Sequence, residues 1–205
     1  MYFNGQFKQL GNCDIAKLKT LINTVTQAQW QEHNERQEVF DVHSHTQTIP
    51  LIFDADFRHR FPTVQPQLEQ FQQYLAPVMQ NIVDYYNKQT INIRNSRPNP
   101  VSKSYFGRII LVKLAPHSEI SEHTDNGFSL SRVHRIHLPI ITNEKVEFTV
   151  DDVTKNLKEG QLWEINNRGT HSVKNLSEQS RVHFIFDFVI PGEVIEDPLS
   201  GTLFS

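Results

Sequence analysis

Between residues 104 and 191, short apolar runs alternate with polar positions and are broken by turn residues, a pattern that restricts this stretch to paired β-strands. Strands are expected over residues 105–114, 133–141, 145–150, 160–165, 171–174 and 181–190. Turn signals separate them at Ala115-Pro116, Asn126-Gly127, Lys158-Glu159-Gly160, Asn166-Asn167-Arg168-Gly169 and Asn175. Many short strands with frequent turns point to an antiparallel sandwich or barrel. The last strand puts Val182, Phe184, Phe186 and Phe188 on one face and Arg181, His183, Ile185 and Asp187 on the other. The strand over 133–141 repeats the scheme, with Ile136, Leu138 and Ile140 against Arg135, His137 and Pro139. A solvated edge explains one such strand. Two of them imply a barrel with a polar interior and an apolar outer face that helices must cover.

The preceding residues offer that cover. Residues 63–87 align Leu68, Phe71, Leu75, Val78, Met79, Ile82, Val83 and Tyr86 in one helical stripe, with Pro77 expected to kink or split it. Residues 14–29 also have helical spacing, with Asp14 as N-cap, and residues 43–53 read as a strand. The polar segment 95–100 marks a junction. The expected organisation is an N-terminal helical and strand extension (1–100) packed on a β core (101–191) with a short tail (192–205), one structural domain in all. A net charge of −3 supplies no field for nucleic acid or an anionic membrane. Residues 1–12 lack the apolar stretch of a signal peptide, and without a run of about 18 apolar residues no transmembrane helix is expected. One cysteine, Cys13, rules out a disulfide framework within the chain and suits a reducing cytoplasm.

Ten histidines in 205 residues direct attention to metal and acid–base chemistry. His123 and Asp125, two apart in an extended segment, aim an imidazole and a carboxylate the same way. By itself His-x-Asp is a common chance pair. His171 opens a strand 48 residues later, directly after a turn. Two histidines and one carboxylate form the facial ligand set of non-haem Fe(II) oxygenases and leave open positions on the ion. Zinc accepts the same ligands, although structural zinc is usually enclosed by four protein groups. An arginine fork inside the barrel suits a dicarboxylate, because a guanidinium–carboxylate pair is strong and directional.

His123-Thr124-Asp125-Asn126-Gly127, Arg135-Ile136-His137-Leu138, Gly160-Gln161-Leu162-Trp163, Thr170-His171 and the run from Arg181 to Asp187 occur in this order. In this ordered set the chain resembles the aspartyl/asparaginyl β-hydroxylase family of Fe(II)- and 2-oxoglutarate-dependent oxygenases, over roughly residues 105–191. The resemblance implies a double-stranded β-helix, the cupin-like jelly roll, packed on N-terminal helices. It also implies His123, Asp125 and His171 as iron ligands and as the catalytic centre, with Arg181 on the distal carboxylate of 2-oxoglutarate. Arg135 and His137 would lie in or beside that pocket. The animal family member that hydroxylates EGF-like domains has glycine where this chain has Asp125, so here the triad is complete and hydroxylation is favoured over halogenation. The implied reaction consumes 2-oxoglutarate and O₂ and hydroxylates an amino acid or amino-acid residue, free, carrier-bound or in a short peptide.

Other histidines and aromatics have plainer readings. His43 and His45 form a second His-x-His pair, read as structural or substrate-side. His134, opposite Arg135 in face, packs or reaches solvent, and His183 is either a pocket-supporting residue or a core histidine. Trp163 reads as a core aromatic rather than a substrate clamp, and Arg58, His59 and Arg60 as a loop or a substrate contact. The competing function is a non-catalytic cupin-like metal-binding or sensor protein, which has no need of an arginine ten residues beyond the second histidine.

Overall fold

The computed structural model describes residues 5–32, 45–54, 61–88, 104–125, 127 and 129–190. His43, Arg58, His59, Arg60, Asn126, the 95–100 junction and the 192–205 tail therefore lie outside the described residues.

Eleven strands among the described residues form two sheets. They are β1 (Phe7–Asn12), β2 (Thr46–Phe53), β3 (Thr63–Val64), β4 (Tyr105–Leu114), β5 (Ser118–His123), β6 (His134–Ile141), β7 (Val146–Val150), β8 (Val153–Lys155), β9 (Gln161–Ile165), β10 (His171–Asn175) and β11 (Arg181–Val189). The larger sheet runs β1-β9-β6-β11-β4-β2-β3 and the smaller β5-β10-β7-β8, with every described pairing antiparallel. From β4 onward the chain crosses repeatedly between the sheets, which makes the jelly roll expected above. Facing inward, Val112, Ile185 and His137 from the large sheet meet Ile120, Phe148 and Val173 from the small one around a central cavity.

The outer face of the large sheet is apolar because β4, β6 and β11 alternate. Ile109, Leu111, Ile136, Leu138, Phe184 and Phe186 are buried there under helix α3 (Leu68–Asn87) and helix α1 (Ala16–Ile22). The covering stripe of α3 is Leu68, Phe71, Leu75, Val78, Ile82 and Tyr86. Pro77 lies inside this helix without splitting it. Residues 63–64 instead form the short strand β3, and the helix begins five residues later than expected.

The expected helix over 14–29 is in fact two. The N-cap of the first is Ile15 rather than the expected Asp14, whose Oδ1 accepts the Ala16 amide at 3.0 Å from one residue further out. The second, α2 (Gln27–Gln31), starts afresh because Thr26 and Gln29 form a capping box that competes with continuation. The first hundred residues do more than pack on the core. They contribute β1 beside β9, and β2 and β3 beside β4, to the large sheet itself.

His134 does not reach solvent. It is buried on the outer face of β6, its Nδ1 bonded to the Glu164 carboxylate and its ring 4.5 Å from that of Tyr86. Burial opposes the Glu164 charge, but His134, Tyr86 and Lys8 outweigh it and hold that carboxyl below its usual range. Trp163 is half-buried, edge-on to Phe7, with its Nε1 donating to Gln161 Oε1 at 3.0 Å. Cys13 is half-buried and reduced, and His45 is exposed at a turn away from the triad.

Candidate metal centre

Antiparallel pairing of β5 with β10 sets His123 directly opposite His171. Their ring centroids are 4.3 Å apart. Asp125 follows two residues after His123 and is tied to the same end of the sheet by its amide, which donates to the Asn167 carbonyl at 3.2 Å. Donor atoms of His123, Asp125 and His171 all lie within 4.8 Å of one another. The chain thus converges the three residues predicted as ligands.

Both rings are oriented by the backbone. His123 Nδ1 lies 2.7 Å from the Ser121 carbonyl and His171 Nδ1 lies 3.0 Å from the Gly169 carbonyl. A carbonyl only accepts, so each Nδ1 carries the hydrogen and each Nε2 presents its lone pair. Burial pushes the His171 pKa below its usual value despite the opposing pull of Asp125. His171 is therefore neutral and has no proton to release when it takes an ion.

Asp125 is held by one of its oxygens. Its Oδ2 accepts Arg135 Nη1 at 2.7 Å and Asn167 Nδ2 at 3.2 Å, and lies 3.8 Å from His171 Nε2. Arg135 in turn grips the fully buried Asp187 with two parallel bonds of 2.8 Å, from Nε and Nη2. Although burial disfavours its charge, the carboxylates of Asp125 and Asp187 raise the Arg135 pKa above the usual arginine value. The resemblance implied a place for Arg135 in or beside the 2-oxoglutarate pocket, and it lies at the cavity's border. Its guanidinium borders the cavity but faces two buried carboxylates that need a counter-charge. Asn167 and Asp187 were not anticipated. Asp187 was visible on the polar face of β11, whereas Asn167, in a turn, had no signal.

Deeper in the same cavity, Arg181 is 0% exposed, and its Nε and Nη1 have no hydrogen-bond partner among the described residues. Burial pulls its pKa down to about 9. His137 lines the cavity as expected. A second buried cluster escaped the sequence reading: Asp54 accepts bonds from Arg108 and from Ser129, four residues beyond Asp125. It fastens the loop after His-x-Asp to β4.

One glycine shapes the approach to His171. A Cβ on Gly169 would lie 2.8 Å from both carboxylate oxygens of Asp151, which accepts the Thr170 amide at 3.1 Å. Gly169→Ala should displace this turn and, through the Gly169 carbonyl, the His171 ring. A roughly tenfold loss of Mn(II) affinity is expected, read by titration. Unchanged affinity would mean that the turn does not orient the ring.

The family model described as "Aspartyl/Asparaginyl beta-hydroxylase" matches residues 85–191, just over half of the chain. The chain belongs to the aspartyl/asparaginyl β-hydroxylase family. No curated protein sequence matches it. Among solved structures it is similar to an oxidoreductase of the 2OG-Fe(II) oxygenase family from Burkholderia pseudomallei, at 12% identity and a TM-score of 0.58 over 86% of this chain and 77% of that one. It is also similar to a Pseudomonas putida prolyl-4-hydroxylase, at 13% identity and a TM-score of 0.51 over 91% and 94% of the two chains. The viral collagen prolyl hydroxylase of Paramecium Bursaria Chlorella virus-1 gives 10% identity and a TM-score of 0.51 over 90% and 96%. At these identities the likeness is one of fold. This β-hydroxylase family member is a 2-oxoglutarate-dependent Fe(II) oxygenase. Its residues fit both requirements, with two Nε2 lone pairs and a carboxylate for the ion and, for a carboxylate, a buried guanidinium whose Nε and Nη1 have no partner among the described residues.

Proposed function

We propose that the protein hydroxylates an amino acid or amino-acid residue, with His123, Asp125 and His171 holding Fe(II) and Arg181 holding the distal carboxylate of 2-oxoglutarate. The observation that carries this reading is a single cavity bordered by both histidines and ending on Arg181, a buried charge awaiting an anion. Bound iron with 2-oxoglutarate and O₂ supplies the oxidation, one oxygen atom entering the substrate and the other succinate as CO₂ leaves.

The chain's own residues bind, orient and exclude water. Arg181 offers its unpartnered Nε and Nη1 as donors to a carboxylate. His137, beside it on the cavity wall, contacts the cosubstrate. Arg135 and Asn167 fix Oδ2 of Asp125, so that the carboxylate would be held in one orientation toward an ion. Val112, Ile120, Phe148, Val173 and Ile185 keep the remaining wall apolar, which strengthens each polar contact inside. The substrate is small or a short peptide, and the reducing cytoplasm suits both Fe(II) and the single cysteine.

The test is anaerobic addition of Fe(II) and 2-oxoglutarate to metal-free protein, followed by the visible charge-transfer band of the chelate. The band should appear in the wild type and vanish in His171→Ala. Succinate release is then screened with free amino acids and short peptides under O₂. Protein that takes up iron but shows no band and no 2-oxoglutarate affinity would overturn the reading.

A further inference from the structure

Three arginines are buried among the described residues, and they are held differently. Arg108 bonds Asp54, and Arg135 bonds Asp125 and Asp187. Arg181 has no carboxylate partner among the described residues. Its hydrogen bond runs from Nη2 to Nδ1 of His183, at 2.5 Å.

A guanidinium has donors only, so His183 Nδ1 is the acceptor and its hydrogen sits on Nε2. That tautomer is neutral. His183 is 1% exposed, and its surroundings keep it so. Burial first, then the charge of Arg181 and the neighbouring His137, push its pKa well below the usual histidine value. The His137 ring stands edge-on at 5.8 Å. The imidazole therefore braces the guanidinium while leaving its charge uncancelled. An aspartate would brace it equally well, as at the other two sites, but would neutralise it.

Resting on the function proposed above, we infer that His183 is a charge-silent positioning residue. It fixes the orientation of Arg181 and keeps Nε and Nη1 available to an external carboxylate, so that the site selects 2-oxo diacids over 2-oxo monoacids. Arg181 touches the cosubstrate. His183 acts through it.

Asparagine and aspartate provide a paired test, because Oδ1 of each is as many bonds from Cβ as the histidine Nδ1. The readouts are 2-oxoglutarate affinity of the Fe(II) protein from the anaerobic band, affinity for 2-oxobutyrate, and thermal melting of the metal-free protein. His183→Asn should hold 2-oxoglutarate within about threefold of wild type, and His183→Leu should lose about tenfold, as expected for one lost hydrogen bond to a charged group. His183→Asp should lose about a hundredfold and bind the two oxo acids nearly alike, because its carboxylate neutralises the guanidinium that a diacid would otherwise engage. It should nevertheless melt higher than wild type when free of ligand, since the buried charge is then compensated. A merely structural role predicts the reverse, with melting and affinity falling together. If the wild type binds iron but no 2-oxoglutarate, the function proposed above and this inference fall together. If the wild type binds and His183→Asp matches His183→Asn, only this inference is overturned.

Discussion

Replacing Arg181 with methionine should make the ligand-free protein more stable and the cosubstrate site almost unusable. The guanidinium is fully enclosed, and two of its donor nitrogens are unpaired. Its depressed pKa shows that burial alone decides its electrostatics. An apolar side chain of similar length removes that desolvation cost, and comparable replacements of buried ionic groups stabilise proteins by about 1–4 kcal/mol. The same change deletes two charge-assisted hydrogen bonds to the distal carboxylate, worth about 1.5–3 kcal/mol each. At about 1.4 kcal/mol per factor of ten, 2-oxoglutarate affinity should fall by roughly 10² to 10⁴. Thermal melting without ligands and titration of the anaerobic Fe(II) protein measure the two effects. A variant that melts below wild type would show that Arg181 is already compensated inside the fold.

Arg135→Leu should act with the opposite sign on stability. It leaves Asp125 and Asp187 buried without the guanidinium that now bonds both. Breaking a buried pair by removing one partner costs about 3–5 kcal/mol. For a chain of this size that lowers the melting temperature by about 6–20 °C. Part of the loss should return on adding Mn(II), because an ion at the triad neutralises Asp125 but leaves Asp187 uncompensated. Arg135→Lys should be intermediate, since an ammonium cannot bridge the two carboxylates in the same fork geometry. Melting within a degree or two of wild type in Arg135→Leu would show that the Asp187–Arg135–Asp125 chain contributes little.

The strands with two defined faces were readable from residues alone. In β6 and β11, period-two alternation identified the apolar face that α1 and α3 cover and the polar face that lines the cavity. The three residues of the candidate triad were readable because His-x-Asp and the later histidine sit at strand ends, in an order shared with a known family. The strands β1, β3 and β8 were not readable. They are short, their alternation is weak, and each depends on a partner strand (β9, β2 and β7) for its hydrogen bonds. The break between α1 and α2 was missed because a capping box at Thr26 overrides a hydrophobic period that runs through it.

Charge pairing was the part that periodicity could not supply. Alternation placed Arg135, His137, Arg181, His183 and Asp187 on inward faces, but it says nothing about which residues stand opposite one another. That is a matter of register, and a one-residue slip reassigns every partner. In the folded protein Asp187 lies opposite Arg135, whereas Arg181 lies opposite Leu114. The sequence by itself determined the faces, the sheet class and the residues of the candidate triad. Only the tertiary pairing decided that Arg135 is neutralised by Asp125 and Asp187, while Arg181 has no carboxylate partner among the described residues.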